Sequence, residues 1–392
     1  MSPDSAIAIE QRAIMIPFNK PFMTGKEVEY MKDAVKSGKI SGNGEYTQRC
    51  HLFFKSRYGF ENVLLTNSCT DALEMCAHLL RIEPGDEVII PSFTFVSTAN
   101  AFVLRGARIV FADSESSRPH LDADGLESLI TPKTKAIVPV HYGGTACDMD
   151  KILELARRYG LSIAEDAAQA VDAYYKGRPL GSIGNLAAFS FHETKNVISG
   201  EGGMLAINDK RYSGRAEIIW EKGTNRAAFF RGEIDKYGWV DIGSSYLPSE
   251  ITSAFLFAQL ENLEKIQTKR KQLWSLYNEA LKPLSEDGEI KLPVIPDYAS
   301  NNAHLFYILC KSVDERTKLI NYLQENDILA VFHYLPLHSS PFYRDKHDGR
   351  ELPNSDRFSD TLLRLPLFYE LSVKEVEYIV DKIYRFFRTA SH

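Results

Sequence analysis

Four short segments hold the residues able to do chemistry in concert. Asn67-Ser68-Cys69-Thr70 follows the apolar run Asn62–Thr66 and leads into a helical pattern. Small hydroxyl residues at such a junction offer backbone N–H groups and a helix dipole to an anion, most often a phosphate. The turn also reads as a plain helix cap, since Asp71 and Glu74 have capping-box spacing. Ser92-Phe93-Thr94-Phe95 follows Glu87–Ile90, and Phe95 belongs either over a flat ligand or in the core. Asp166 closes another apolar run, where a buried carboxylate needs a cationic partner: a cofactor ring nitrogen or a structural arginine. Ala167 and Ala168 leave room for a flat ring, with Gln169 just beyond. Ser190-Phe191-His192-Glu193-Thr194-Lys195 then precedes the stretch Gly200-Glu201-Gly202-Gly203. A lysine desolvated in a cleft has a lowered pKa and acts as a nucleophilic amine or base, whereas most lysines are simply solvated.

The elements that must position these segments follow from the apolar rhythm. Asn62–Thr66, Glu87–Ile90, Ile109–Ala112, Ala136–Val140 and Leu161–Ala164 read as short buried strands. Helical patterns at 71–80, 126–130 and 149–158 lie between them, which predicts parallel pairing covered on both faces. Leu186–Ser190 and Gly203–Ile207 add two close strands, read as a hairpin-like edge. Beyond residue 250 the rhythm changes to one long helical stripe over 251–272 carrying Leu256, Leu260, Leu263 and Ile266. Strands at 304–309 and 328–332 and helices at 315–326 and 373–387 complete a smaller α+β unit. The chain therefore divides into an extension at 1–15, a large α/β domain at 16–250, and a linking helix with a small domain at 251–392. In an open parallel sheet ligands sit at the carboxyl ends of strands, where the four segments fall. A phosphate, an aromatic cover, a carboxylate for a ring nitrogen and a lysine for an aldehyde are together the needs of pyridoxal 5′-phosphate (PLP).

Composition narrows the remaining classes. With 392 residues, 44% hydrophobic and 25% charged, the chain is an ordinary globular sequence. A formal net charge of −6 leaves no electrostatic footprint for nucleic acid or an anionic membrane surface. Cys50, Cys69, Cys76, Cys147 and Cys310 form no CxxC pair and read as reduced thiols, not as a zinc site. Neither a signal-peptide layout nor an apolar membrane span is present, so a soluble cytoplasmic protein is expected. No GxGxxG follows the first strand, which removes the phosphate loop of a dinucleotide site. His333 and His338 lack HExxH spacing, so no metal is expected there.

The ordered motifs SGKISGNG, TNSCTDALEM, PSFTFVSTANA, VPVHYGG, EDAAQA, FSFHETKN, GEGG and LRLPLFY span the chain nearly to its C-terminus. In these the chain resembles the DegT/DnrJ/EryC1/StrS sugar aminotransferases, PLP-dependent enzymes of the aspartate-aminotransferase fold (fold type I). That resemblance implies Lys195 as the residue linked to PLP and Asp166 as partner of its ring nitrogen. It implies Gln169 beside the ring hydroxyl, Phe95 stacked on the ring, and Ser68, Cys69, Thr70 and Ser190 around the phosphate. Relatives supply an asparagine from a neighbouring subunit within a GxNYRM-like motif; here Ser245 of Gly243–Pro248 stands at that position. A homodimer with shared sites is therefore implied.

VPVHYGG, FSFHETKN, EKGTNR, FFRG, DIGSSYLPS and FHYLPLH further resemble the subgroup that aminates C4 of dTDP-4-dehydro-6-deoxyglucose in enterobacterial common antigen synthesis. L-Glutamate is the implied donor. Asn43, in the 38–46 loop, and His333 and Tyr334, in a turn of the smaller domain, become candidates for the sugar nucleotide. Arg226 and Arg231 form a basic loop able to meet its pyrophosphate. C3 amination remains a rival on these motifs. A sugar dehydratase of the family carries histidine in place of the lysine, which Lys195 argues against.

Overall fold

Asn62–Thr66 forms strand β1, with four of its five residues buried, and it sits at one edge of a sheet. The structure, a computed structural model, describes residues 15–389; the expected N-terminal extension lies, but for Met15, outside them. The further strands are β2 (Glu87–Pro91), β3 (Arg108–Ala112), β4 (Thr134–Ile137), β5 (Ser162–Asp166), the short hairpin β6 (Tyr174–Tyr175) and β7 (Arg178–Pro179), β8 (Leu186–Ser190) and β9 (Gly203–Ile207). The main sheet runs β1-β9-β8-β5-β4-β2-β3. β3, β2, β4, β5 and β8 pair in parallel, and β9 alone runs against its neighbours. This is the α/β architecture expected from the alternating pattern.

Helices cover both faces, as parallel strands require. α1 (Glu27–Lys36) and α2 (Glu45–Tyr58) precede the sheet, and α3 (Cys69–Leu79), α4 (Val96–Val103) and α5 (Met149–Tyr159) alternate with its strands. Side chains alternate across each strand: Leu65, Ile89, Met204 and Ala206 join the core on one face, and Leu64, Ile90, Leu205 and Ile207 that on the other. Each such fully buried Leu or Ile contributes about 1.5–3 kcal/mol. α5 shows why the helices form where they do. Met149, Ile152, Leu155 and Ala156 make its buried stripe, Asp148 caps its start, and Gly160 ends it at φ 67.

Three expectations are corrected. β8 and β9 do pair antiparallel, but β9 lies inside the sheet between β1 and β8, and all five of its residues are buried. The long helix splits into α8 (Glu250–Leu260) and α9 (Leu263–Glu286), following α6 (Ser213–Trp220) and α7 (Arg226–Phe230); Asn262 leaves helical geometry between them and its amide returns to the Ala258 carbonyl at 3.0 Å. The 126–130 helix is a single 3₁₀ turn, Leu126–Leu129.

The C-terminal part carries a second, antiparallel sheet built from β10 (Phe306–Leu309), β11 (Val331–Phe332) and β12 (Leu362–Leu365), with β12 central. α10 (Val313–Glu325), α11 (Pro353–Thr361) and α12 (Val373–Thr389) accompany it. Leu273 and Tyr277 of α9, Leu319 of α10, Leu363 of β12 and Ile379 of α12 share its apolar core. Buried amides tie this part to the main sheet. Asn302 donates to the carbonyls of Gln169 and Val171 at 2.8 Å each, and Asn196 donates to the Asn302 carbonyl at 2.9 Å. Among the described residues no helix is long and apolar enough to cross a membrane, and no cluster of His, Cys, Asp and Glu offers a metal site.

Candidate active site

Strand register gathers the chemistry-bearing residues on one edge of the main sheet. Thr66 of β1 faces Gly203 of β9, which faces Ser190 of β8, while Asp166 of β5 lies beside Ala188. Over this edge stands a cavity of about 1040 Å³. Ser68, Cys69, Thr70, Phe95, Asp166, Gln169, Ser190, Lys195, His333 and Tyr334 all line it.

The turn from β1 into α3 is a helix cap that also faces the cavity. Ser68 is the cap, its Oγ accepting from the Asp71 amide at 3.0 Å, so the capping read for Asp71 and Glu74 belongs to Ser68. Gly203 packs against this turn so closely that a Cβ there would lie 2.4 Å from the Ser68 carbonyl. Thr70 Oγ1 donates to Ser97 Oγ at 2.8 Å, joining the first turns of α3 and α4. Of the two phenylalanines after β2, Phe93 is buried in the core and Phe95 is 55% exposed at the cavity, 6.1 Å ring to ring from Tyr334. Phe95 is thus the one of the two that faces the cavity.

Asp166 is buried, yet no arginine or lysine pairs with it among the described residues. Its Oδ2 accepts from Thr98 Oγ1 at 2.7 Å and its Oδ1 from the Ala168 amide at 3.1 Å. Thr94 in turn meets Thr98 at 2.9 Å. Gln169 is fixed at both ends: Oε1 accepts from the Gly143 amide at 2.6 Å, and Nε2 donates to Tyr334 OH at 3.2 Å. Behind Asp166, Glu165 is wholly buried, and it accepts from His141 at 2.9 Å and from the amides of Gly181, Ile183 and Gly184.

Lys195 lies half-buried across the cavity, with no ion pair to a carboxylate among the described residues. Burial lowers its amine below the ordinary lysine value, Asp166 opposing and Arg364 adding to the shift. Two of the three cavity imidazoles, His304 and His333, are pushed well below their ordinary value, chiefly by burial. They act as neutral hydrogen-bonding groups: His304 with Asn196 at 3.0 Å and His333 with Tyr142 at 2.8 Å. A cleft with an amine of lowered pKa, an unpaired acid and a helix N-terminus is equipped to hold an anionic, ring-bearing aldehyde and to move protons beside it.

The DegT/DnrJ/EryC1/StrS aminotransferase family matches residues 21–384, over nine-tenths of the chain. The chain belongs to that family. It is 32% identical over 387 residues to the spore coat polysaccharide biosynthesis protein SpsC of Bacillus subtilis, covering 96% of this chain and 98% of that one. The aminotransferase TlmJ from Streptoalloteichus hindustanus is similar in structure, with TM-score 0.88, 27% identity, and coverage of 96% and 100%. Spr1654 from Streptococcus pneumoniae, in its PMP form, gives TM-score 0.87 at 26% identity, covering 95% of this chain and 98% of that one; it is also known in a PLP form.

Within this family member, four expected residues lie outside the cavity of their own chain. Asn43 adopts φ 61 in a loop where Gly42 and Gly44 press on Pro248 and Glu250. Ser245 is exposed and accepts from Asn67 Nδ2 through its carbonyl at 2.9 Å. Arg226 lies over the Phe230 ring at 5.0 Å, and Arg231 pairs with Glu233 and Glu217. His338 hydrogen-bonds to Ser92 Oγ at 2.7 Å.

Sequence reasoning missed Thr98, His304 and Arg364, all cavity residues. Thr98, in the first turn of α4, stands four residues after Thr94 of the preceding turn, and the two hydroxyls meet. Arg364 is the single charge within the apolar Leu362–Leu367 run, a signal in itself.

Proposed function

We propose that this chain transfers the amino group of L-glutamate to C4 of dTDP-4-dehydro-6-deoxy-D-glucose, with pyridoxal 5′-phosphate as cofactor. The products are dTDP-4-amino-4,6-dideoxy-D-galactose and 2-oxoglutarate. One observation carries the reaction class: an amine of lowered pKa, Lys195, shares a cavity with the buried Asp166, which forms no ion pair among the described residues. The residues present fit the cofactor. Lys195 takes its aldehyde and Asp166 its ring nitrogen, Ser68, Cys69, Thr70 and Ser190 its phosphate, and Phe95 and Gln169 its ring.

Bound there, the cofactor supplies an electron sink for bonds at the donor's α-carbon. Asp166, fixed by Thr98 and the Ala168 amide, holds a proton on the ring nitrogen. Lys195 Nζ takes the proton from the donor's α-carbon and, in the second half of the cycle, returns one to C4 of the sugar. Proton transfer of this kind contributes about 10²–10⁴-fold in rate. Burial favours the neutral amine that such a base must be.

The substrate rests on the motifs VPVHYGG, FSFHETKN and FHYLPLH, whose His333 and Tyr334 line the cavity. Asn43, Arg226, Arg231 and Ser245, outside their own cavity, serve the site of a second copy. Exposed Phe230, Tyr237, Trp239, Val240 and Ile242 beside the two arginines support such a two-fold assembly. The test is product analysis: protein, PLP, L-glutamate and dTDP-4-dehydro-6-deoxyglucose, with the amine located by NMR. An axial C4 amine is expected. An equatorial one reverses the delivery face, and turnover only after a 3,4-ketoisomerase is added would make this a C3 aminotransferase.

A further inference from the structure

His304, just before β10, is held in one tautomer by the amides around it. Asn196 Nδ2 donates to the Asn302 carbonyl at 2.9 Å and to Gln267 Oε1 at 2.7 Å. A backbone carbonyl only accepts, so the orientation of the Asn196 amide is fixed, and its Oδ1 is the atom that meets His304 Nδ1 at 3.0 Å. Nδ1 therefore carries the proton. The charges acting on the buried ring, those of Lys195, Arg270 and Arg364, are all positive, which keeps a second proton off it. Arg270, itself buried, donates to the carbonyls of Ala303 and His304 at 3.0 and 2.7 Å and so fastens the backbone that carries the ring. Nε2 is thus a bare acceptor on a residue that lines the cavity, and nothing donates to it among the described residues.

We propose that His304 Nε2 accepts a hydrogen bond from the Lys195 amine whenever that amine is not bound to the cofactor, and so aims its lone pair at the carbon whose proton it moves. His304 is then a positioning residue, an assignment that rests on the aminotransferase reading above. Complementarity selects this partner. Lys195 Nζ is a donor with no acceptor among the described residues, His304 Nε2 is an acceptor with no donor, and both residues line one cavity. Asn196, which clamps His304, is the residue next to Lys195, so ring and lysine are held from a common stretch of backbone. The two nitrogens are not hydrogen-bonded to each other in this structure, and the flexible four-carbon stem of a lysine is the arm that closes such a gap. A protonated imidazole would repel the amine, whereas a neutral one with a bare nitrogen accepts from it.

Two measurements test this. In cofactor-free wild type, ¹⁵N NMR of histidine-labelled protein, with His304→Gln assigning the signal, should find Nδ1 protonated and Nε2 bare at pH 7; a proton on Nε2 would overturn the assignment. In PLP-loaded protein the two half-reactions are followed separately: conversion of the cofactor to its amine form by L-glutamate, and its return by the dTDP-sugar. His304→Phe is expected to slow both by the same factor, about 10–100-fold, the loss of one hydrogen bond to an amine, with the KM for each substrate little changed. His304→Gln, whose amide offers a donor to Asn196 and an acceptor to the cavity, should recover part of the rate. Retained PLP absorbance in both variants shows that the fold is intact. Unchanged rates, a loss confined to one half-reaction, or a raised KM for one substrate would overturn the proposal, the last two marking a substrate contact instead. If wild type is converted by L-glutamate but aminates no dTDP-sugar, the proposed function is at fault, and a slowed glutamate half-reaction in His304→Phe together with an Nδ1–H ring still upholds the contact.

Discussion

Lys195 costs the folded chain stability in return for its chemistry. Its amine is buried, and in the folded state its pKa lies below the ordinary lysine value. Below that folded pKa the buried charge destabilises the protein, and the penalty fades as pH rises towards 10.5, where the unfolded chain also loses its proton. Lys195→Met removes the charge and keeps the volume. In cofactor-free protein at pH 7 the variant should melt about 1–3 °C above wild type, and the gap should close at alkaline pH. A variant less stable than wild type at pH 7 would mean that the amine is paired or solvated. Lys195 and Asp166 are legible in the sequence because each ends or follows an apolar strand, where a charge is conspicuous. Arg364 is harder to read, since its meaning depends on the strand face it occupies, which adjacent residues alone do not settle.

At the scale of elements, the site depends on the strands holding their ends in register. Gly203 is the point where β9 meets the cap of α3. Gly203→Ala would force a Cβ to within 2.4 Å of the Ser68 carbonyl, so the turn must shift. PLP affinity, measured by titrating the cofactor-free protein, should fall about tenfold or more, as displaced N–H groups lose the phosphate. Full affinity would remove this turn from the phosphate's binding site. Glu165 anchors the carboxyl end of β5, one residue before Asp166. Burial opposes its charge, but His141 and the amides of Gly184 and Gly181 outweigh that cost and hold its pKa below 4.5. Its contribution is present above pH 4.5 and is lost as pH falls through the lower folded value. Glu165→Gln should therefore cost about 3 kcal/mol at pH 7, narrowing below pH 4.5; a deficit constant with pH would contradict the account. β1, β8 and β9 can be read to the residue, because strands buried on both faces carry unbroken apolar runs. The central place of β9 cannot, since strand order is a long-range property. Nor can the break at Asn262, where the apolar stripe continues across the kink.

Across the whole molecule, four of the expected residues stand apart from the cavity of their own chain. Asn43 and Ser245 rest on resemblance and Arg226 and Arg231 on the basic loop they form, and in one chain all four lie away from the cavity that Lys195 lines. Trp239, 85% exposed with Phe230 and Tyr237 nearby, marks the surface through which a second copy is expected. Light scattering should find a dimer, and Trp239→Asp should shift it towards monomer with loss of most turnover. A fully active monomer would contradict shared sites. The reaction class rests on fewer assumptions: that the cofactor is carried by Lys195. Borohydride reduction of the PLP-loaded protein fixes the cofactor irreversibly to whichever lysine holds it, and peptide mass mapping then names that lysine. The account predicts the label on the peptide containing Lys195 and none in Lys195→Ala; a label on another lysine, or none in wild type, would contradict it.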